Sequence, residues 1–270
     1  MQDITLRAVA LLGSVDLIAA EDTRVSRRLL AHHGIDTPLT AVHGHNEASA
    51  AARVIETLRA GRSVALVSDA GTPAVSDPGA VLVRRVREAG LRVVPVPGPS
   101  ALTAALSVAG LTCQGVLFLG FLPSQPAARR RALESVRSLP YALVLYEAPH
   151  RVRECVDDLA QVLGGGRELL IARELTKLFE QVHAGKLADA AAWLDADDNH
   201  VRGEFVLVVG PPAAAVQEAT LDEAMRVLGL LLAELPLKQA VKLCAAITGA
   251  NRNLLYERAL QQKAAGASPA

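Results

Sequence analysis

Residues 68–79 read SDAGTPAVSDPG and directly follow the apolar run SVALV at 63–67. Two Gly, two Pro, two Ser and two Asp residues fall within these twelve positions. In an open parallel sheet, ligands bind where strands end and helices begin, and glycine lets the backbone approach a ligand closely. The stretch therefore predicts a binding loop at a strand end, with Asp69 as an acceptor for ribose hydroxyls or an amino group.

Asp77 is predicted to cap a helix that opens with Pro78 at its first position. A purely structural interpretation of the whole loop, as a turn followed by this cap, stays open at this point. A second loop, VPGPSALTAAL at 96–106, repeats the design, with Ser100 at the start of a helix whose free amides can hold a polar ligand. Two such loops on neighbouring strands favour a shared small-molecule cleft.

Working outward, short apolar runs alternate with amphipathic helical patterns, which predicts a mostly parallel sheet. The predicted strands are 16–20, 38–43, 63–68 and 91–96, and the helices between and after them lie near 23–33, 46–60, 78–89 and 99–109.

A second set of apolar runs follows with short links, which predicts a mixed sheet with strands at 115–123, 141–147, 168–175, 179–185 and 204–210. Helical patterns then continue to the C-terminus, and the last two meet at Gly249 like a helix-turn-helix. We therefore predict an N-terminal α/β domain at 1–112, a C-terminal α/β domain at 113–212 and a helical tail at 218–264, with a disordered end.

Composition restricts the class of protein. Of 270 residues, 51% are hydrophobic and 3% aromatic, so a large core must be built from aliphatic side chains. No apolar run reaches the roughly 18 residues that a membrane span needs, and the N-terminus does not resemble a signal peptide. The three cysteines are far apart and fit no metal site, so we predict buried thiols in a reducing cytoplasm. The net charge is zero, so any nucleic-acid surface must be local.

Seven blocks of sequence, in order, resemble the ribosomal RNA small subunit methyltransferase I family. They are AAEDTRVSRRLLAHHGI (19–35), SDAGTPAVSDPG (68–79), VPGPSAL (96–102), GFLP (120–123), YEAPHR (146–151), ARELTKLFE (172–180) and GEFVLVV (203–209). The family belongs to the class III, tetrapyrrole-methylase-like methyltransferases, and the resemblance extends over essentially the whole chain.

The resemblance implies an α/β fold of two domains, with a mostly parallel first sheet, a mixed second sheet, a C-terminal helix-turn-helix-like segment and S-adenosylmethionine in the cleft between the domains. The implied reaction is methylation of a cytidine ribose 2′-hydroxyl in the decoding region of 16S rRNA, in the cytoplasm, by a homodimer. The resemblance also implies which residues line the S-adenosylmethionine pocket: Asp69, Ala70, Gly71, Thr72, Pro73, Ser100 and Ala101.

The family pattern normally begins with a hydrophobic strand and a loop reading like T-P-I-G-N-L, whereas this sequence begins MQDIT. We therefore expect Met1 to be an internal methionine, from a misplaced start or a truncation. Sequencing the message upstream tests this, since an in-frame stop codon just before Met1 contradicts it.

Methyl transfer to a ribose hydroxyl needs alignment and a base or polarising group. The candidates in the matching blocks are Glu21, Asp22, Glu147, His150 and Glu174. Each has the alternative of an ion pair with a nearby arginine, and the sequence does not select the base.

RNA binding requires phosphate contacts. Arg24, Arg27 and Arg28 share one helix face through their i, i+3, i+4 spacing, and the further candidates are His45, Asn46 and Arg151. A second basic cluster, ARRRAL, lies at 128–133. The alternative for each arginine cluster is a solvated helix face. His43 and His45 lack further ligands, so no metal is predicted.

Two other functions remain open from the sequence. A tetrapyrrole methylase shares the fold, but has no need of the AEDTR block, the basic helix or the helical tail. A non-catalytic RNA- or ribosome-binding protein is the other alternative. The tail itself, with Lys238, Lys242, Arg252 and Arg258, fits either a nucleic-acid contact or a packing hairpin equally well.

Overall fold

The computed structural model describes residues 1–44 and 46–265. Its first sheet is parallel and has the strand order β2-β1-β3. Its strands are β1 (Leu17–Ala20), β2 (Leu39–Ala41) and β3 (Val64–Val67), and the helices around it are α1 (Leu6–Leu12), α2 (Thr23–His32), α3 (Glu47–Arg59) and α4 (Ala80–Glu88).

Side-chain alternation along β1 divides this part of the core into two layers. Ile18 and Ala20 point to one face, where they pack with Leu30 of α2. Ala19 points to the other face, where it packs with Val54 of α3 and Leu82 of α4. The small sheet is therefore covered by helices on both faces, as its parallel strands require.

The predicted strand at 91–96 is wrong. Residues 91–100 have no regular secondary structure, and Val93 and Val94 are 42% and 58% exposed. The first sheet ends at β3, and among the described residues no strand pairs with this segment in a hydrogen-bonded ladder. An apolar run with strand propensity becomes a strand only when a neighbour pairs with it.

The second sheet is mixed and has the order β4-β5-β8-β6-β7, with β4 and β5 parallel and the remaining pairs antiparallel. Its strands are β4 (Val116–Phe121), β5 (Ala142–Glu147), β6 (Glu168–Arg173), β7 (Gln181–Lys186) and β8 (Phe205–Val209). All five residues of the central strand β8 are buried, which explains its uninterrupted apolar sequence FVLVV. Both predicted sheet types are confirmed.

Helices cover the two faces of the second sheet. On one face, Leu143, Leu145 and Leu207 pack in the core formed with α6 (Pro126–Glu134), α7 (Val152–Leu163) and α8 (Leu187–Asp195). On the other face, Val144 and Val206 pack against α5 (Ala101–Ala109). Helix α5 precedes residue 112 yet packs on β6 and β8 of the second sheet. The domain boundaries themselves stay a prediction.

The basic cluster at 128–133 is only partly a solvated helix face, since Arg130 and Arg131 are exposed but Arg129 is not. The Arg129 side chain is buried, and its Nε donates a hydrogen bond to Asp158 Oδ2 over 2.6 Å. Arg130 Nη1 donates to the other oxygen of the same carboxylate over 3.1 Å. The cluster therefore joins α6 to α7, because a buried guanidinium needs a paired carboxylate.

The helical tail consists of α9 (Ala214–Glu234), α10 (Leu237–Thr248) and α11 (Arg252–Ala265). Leu228, Val241, Cys244 and Leu255 form a core of its own. Gly249 ends α10 with a left-handed φ of 70°, a conformation that favours glycine. The predicted helix-turn-helix arrangement is confirmed, while the predicted disordered end at 266–270 lies outside the described residues. In the part of the chain described, no helix has the length and apolar character needed to cross a membrane.

Candidate active site

A cavity of about 340 Å³ lies between the loops of the first sheet and the strand ends of the second. This volume is in the range of small-molecule sites. Its lining residues are Ala70, Gly71, Thr72, Val75, Ser76, Asp77, Ser100, Ala101, Phe121, Tyr146, Glu147, Ala148, Pro149, Leu175, Lys177, Glu204, Phe205 and Val206.

The two loops predicted to share a cleft meet at this cavity. The Thr72 hydroxyl donates to the Pro99 carbonyl over 2.9 Å. Five of the seven residues predicted for the donor pocket line the cavity, namely Ala70, Gly71, Thr72, Ser100 and Ala101. Asp69 and Pro73 are outside that lining, although both belong to the same loop.

The 68–79 loop is held in an unusual backbone conformation. Gly71 has a φ of 70°, and the non-glycine residues Ala74 and Ser76 have left-handed φ values of 65° and 68°. Such conformations cost a non-glycine residue about 1 kcal/mol or more, and they concentrate at functional sites. The tip of the loop touches the second sheet, since a Cβ built on Gly120 would lie 3.2 Å from Ser76 Oγ.

The prediction that Asp77 caps the following helix is wrong. Helix α4 begins at Ala80, with Gly79 at its N-cap and no side-chain cap from its own segment. The carboxylate of Glu47, from α3, instead accepts hydrogen bonds from the Gly79 and Leu82 amides over 3.0 and 2.9 Å. This long-range cap leaves Asp77 free to line the cavity.

The environment of Asp77 makes its carboxyl group a weaker acid than an exposed aspartic acid, because it raises the pKa. Burial raises the pKa of the Asp77 carboxyl, and a hydrogen bond from Ser68 opposes this rise. The negative charges of Glu21, Asp69 and Glu204 raise the pKa further.

The opposite wall is formed by the end of β5. Tyr146 OH accepts a hydrogen bond from the Leu102 amide over 3.2 Å, so this side chain occupies one of the free amides at the start of α5. Burial raises the pKa of the Tyr146 phenol. Glu147 is 2% exposed, and its Oε1 accepts from the Ala148 amide over 2.8 Å and lies 3.3 Å from Arg151 Nε. Its other oxygen, Oε2, is buried with no protein hydrogen-bond partner.

A charged cluster closes one end of the cavity. Lys177 Nζ lies 2.8 Å from both Glu174 Oε1 and Glu204 Oε2. Burial alone would raise the pKa of Glu174, but the hydrogen bonds from Lys177 and from the Glu204 amide lower it. A Cβ on Gly203 would come within 2.3 Å of Glu174 Cγ, so only glycine allows this close approach.

The remaining catalytic candidates lie beside the cavity rather than in its lining. The Asp69 amide donates to Glu21 Oε2 over 3.3 Å, and the Asp22 amide donates to Asp69 Oδ1 over 3.0 Å, so these three acids join the ends of β1 and β3. Asp22 also caps α2 through the Arg24 amide. His150 is exposed. Glu147 is thus the one predicted catalytic candidate in the cavity lining.

The residues predicted to bind RNA do not form one surface of free side chains. Arg24, Arg27 and Arg28 are all exposed on α2, but Arg24 is ion-paired with Asp22 over 2.6 Å. Asn46 accepts from the His43 amide and donates to the Ala41 carbonyl, which fixes the turn before α3. Arg151 points inward to Glu147 and to the Leu122 carbonyl. His45 lies outside the described residues.

Comparisons with known proteins agree with this geometry. A family model described as Tetrapyrrole (Corrin/Porphyrin) Methylases matches residues 1–191. Proteins named ribosomal RNA small subunit methyltransferase I from Pseudomonas aeruginosa and Escherichia coli O157:H7 are 52% and 47% identical. Each alignment covers 97% of this chain and, respectively, 94% and 92% of the relative. The chain belongs to the ribosomal RNA small subunit methyltransferase I family.

Two further matches fit membership of the methyltransferase I family. A model described as RsmI C-terminal HTH domain matches residues 218–263, the helical tail. Solved structures of the methyltransferase CobJ and of uroporphyrin-III-C-methyltransferase from Thermus thermophilus have TM-scores of 0.58 and 0.53 at 20% and 23% identity. They cover 78% and 77% of this chain, and 90% and 88% of the respective structures. At this identity they show a common fold.

Sequence reasoning missed five polar residues of this methyltransferase I cavity: Ser76, Asp77, Tyr146, Lys177 and Glu204. Tyr146 and Lys177 lie within the quoted blocks YEAPHR and ARELTKLFE. Each block also contains a residue that was named as a catalytic candidate, so the sequence did point to these two regions. Asp77 was misinterpreted because the cap provided by Glu47, 30 positions earlier, leaves no local pattern.

Proposed function

We propose that this protein transfers the methyl group of S-adenosylmethionine to the ribose 2′-hydroxyl of a cytidine in the decoding region of 16S ribosomal RNA. The observation that carries the proposal is the identity of 52% to a ribosomal RNA small subunit methyltransferase I over nearly the full length of both chains. We expect the reaction to take place on the small ribosomal subunit in the cytoplasm. A homodimer stays a prediction.

The cavity has the chemistry that a sulfonium donor requires. Its lining contains the carboxylates Asp77, Glu147 and Glu204 but only one basic side chain, Lys177. Lys177 is shared by two acids, Glu174 and Glu204, so this end of the cavity keeps an excess of negative charge that attracts cations, and this donor carries sulfonium and ammonium groups. When bound, it supplies an electrophilic methyl group on sulfur.

Individual residues fit parts of the donor. The backbone around Gly71 can approach a ligand closely, because the nearest atom to a Cβ built there is the Pro99 carbonyl oxygen at 3.8 Å. The apolar side chains of Ala101, Phe121 and Val206 provide contact for an adenosine ring system.

The RNA side of the proposal rests on exposed basic residues outside the cavity. Arg27 and Arg28 lie exposed on α2, the helix that follows β1 at the loop end of the first sheet. Lys238, Lys242, Arg252 and Arg258 on the helical tail offer further phosphate contacts.

Transfer of labelled methyl from S-adenosylmethionine to small ribosomal subunits lacking the modification tests the proposal. The labelled RNA is then hydrolysed with alkali, because a 2′-O-methyl group protects the adjoining phosphodiester bond. We expect label in an alkali-resistant dinucleotide that contains cytidine, and none with subunits that are already modified.

Other outcomes would identify the alternatives. Label that alkali releases as mononucleotides indicates base methylation and contradicts the 2′-hydroxyl as acceptor. No transfer to RNA, with transfer to a porphyrin precursor, favours a tetrapyrrole methylase. Binding to the subunit without measurable donor affinity indicates a non-catalytic RNA-binding protein.

A further inference from the structure

We infer that Asp77 is the catalytic base that accepts the proton of the 2′-hydroxyl, an inference that rests on the function proposed above. The cavity lining contains three carboxylates, and the other two are already engaged. Glu147 is ion-paired with Arg151, and Glu204 is ion-paired with Lys177. Within the described part of the chain, Asp77 has no ion-pair partner.

The backbone fixes the position of Asp77 on both sides. Ser76, directly before it, has a left-handed φ of 68°. Pro78, directly after it, disfavours the helical backbone conformation at Asp77. Gly79 is then anchored by its amide to the Glu47 carboxylate over 3.0 Å. Strained non-glycine conformations that the surrounding structure maintains are typical of functional sites, and here they hold a carboxylate at the cavity.

The groups around Asp77 also suit a residue that accepts and releases a proton. The groups that face Asp77 are Ser68 and Asp69 from its own loop, Glu21 after β1, Tyr146 at the end of β5 and Glu204 before β8. The acids among them, together with burial, hold the pKa of Asp77 above its usual value of 3.8. Proton acceptance is most efficient when the pKa of the base approaches the working pH.

The proposed step balances without an additional reactant. The O2′–H bond breaks and its proton moves to an Asp77 carboxylate oxygen, while the ribose oxygen forms the new bond to the methyl carbon. The electron pair of the former carbon–sulfur bond stays on the sulfur. The protonated Asp77 then loses its proton to solvent.

The test compares Asp77→Asn with the wild type and with Asp198→Asn, a control that makes the same change at an exposed site in the 197–200 turn. The readouts are single-turnover methyl transfer to unmodified small subunits over a range of pH, binding of S-adenosylhomocysteine by calorimetry, and the thermal unfolding midpoint. Asp77→Glu serves as the conservative variant and keeps an ionisable group if Asp77→Asn is unstable.

We expect Asp77→Asn to slow transfer about 10²–10⁴-fold, the range for loss of a general base, with product affinity within about threefold of the wild type. In the wild type the rate should rise with pH through the raised pKa of Asp77, and Asp77→Asn should lose this acidic limb. Asp77→Glu should retain the limb, and Asp198→Asn should behave as the wild type.

Three results would overturn the inference. The first is an Asp77→Asn rate within threefold of an active wild type, which contradicts the role of Asp77 as base but not the proposed function. The second is product affinity that falls as much as the rate, which makes Asp77 a donor-binding residue. The third is an inactive wild type, which removes the proposed function and the base with it.

Discussion

The two walls of the cavity are built in different ways. The wall that follows the first sheet consists of loops, and its shape depends on left-handed backbone at Gly71, Ala74 and Ser76. The wall from the second sheet consists of side chains at strand ends, such as Tyr146 and Phe205, whose strands are buried on both faces. The first wall should therefore respond to backbone changes, and the second to changes in the packing beneath it.

The largest effect is expected beneath the second wall. Leu207 is fully buried at the centre of β8, so Leu207→Ala should lower the free energy of unfolding by about 2–5 kcal/mol through lost burial and the cavity left behind. Leu178→Ala, at a residue that is 90% exposed, is the control and should change it by less than about 0.5 kcal/mol. Urea denaturation measures both free energies of unfolding, and equal losses would contradict the dependence of this wall on the packing beneath it.

An intermediate effect is expected in the first wall. Gly71 and Gly90 have similar φ values of 70° and 74°, but only Gly71 lines the cavity. Valine at either position imposes similar backbone strain. Gly90→Val is therefore the control that shows the effect of strain alone, whereas Gly71→Val also places a side chain in the cavity. Calorimetry with S-adenosylmethionine should show affinity at least about tenfold weaker for Gly71→Val only, or about 1.4 kcal/mol, with RNA affinity little changed. Equal donor affinities in the two variants would remove Gly71 from the binding wall.

The smallest effect is expected outside both walls, at the exposed pair of Asp22 and Arg24. Hydrogen bonds from Arg24 lower the pKa of Asp22 from 3.8 to about 2. Because the folded-state pKa is the lower one, the stabilisation is present above pH 3.8 and is lost as the pH falls toward 2. Arg24→Ala should return the pKa of Asp22 toward 3.8, measured by NMR of the carboxyl carbon, and leave donor affinity unchanged. An Asp22 that still titrates near 2 in this variant would show that another group sets its pKa.

The difference between the two parts of the molecule also explains which strands could be predicted from the sequence. Strands of the second sheet were predictable because their side chains alternate between two buried faces, as at Leu143 and Val144. The segment 91–96 is also rich in valine, but whether it forms a strand depends on a partner strand that its own residues do not encode. A local sequence pattern predicts local structure, whereas strand pairing depends on residues elsewhere in the chain.

The site was predictable to a similar degree. Glycine and proline spacing identified the loops that carry Gly71 and Ser100, since turn chemistry is local. Contacts between distant residues changed the assignments of three others. Glu47 takes the capping role expected of Asp77, Asp158 pairs with the buried Arg129, and the Leu122 carbonyl accepts a hydrogen bond from the inward-pointing Arg151.

The packing of helix α5 on β8 affects how the chain folds during synthesis. Its apolar side packs on β8, yet β8 leaves the ribosome ~100 residues later, which takes roughly 5–20 s at ordinary translation rates. During that interval the sheet that covers Ala105 and its neighbours lacks its central strand. The nascent chain is therefore most exposed to chaperones and to aggregation between the emergence of α5 and that of β8.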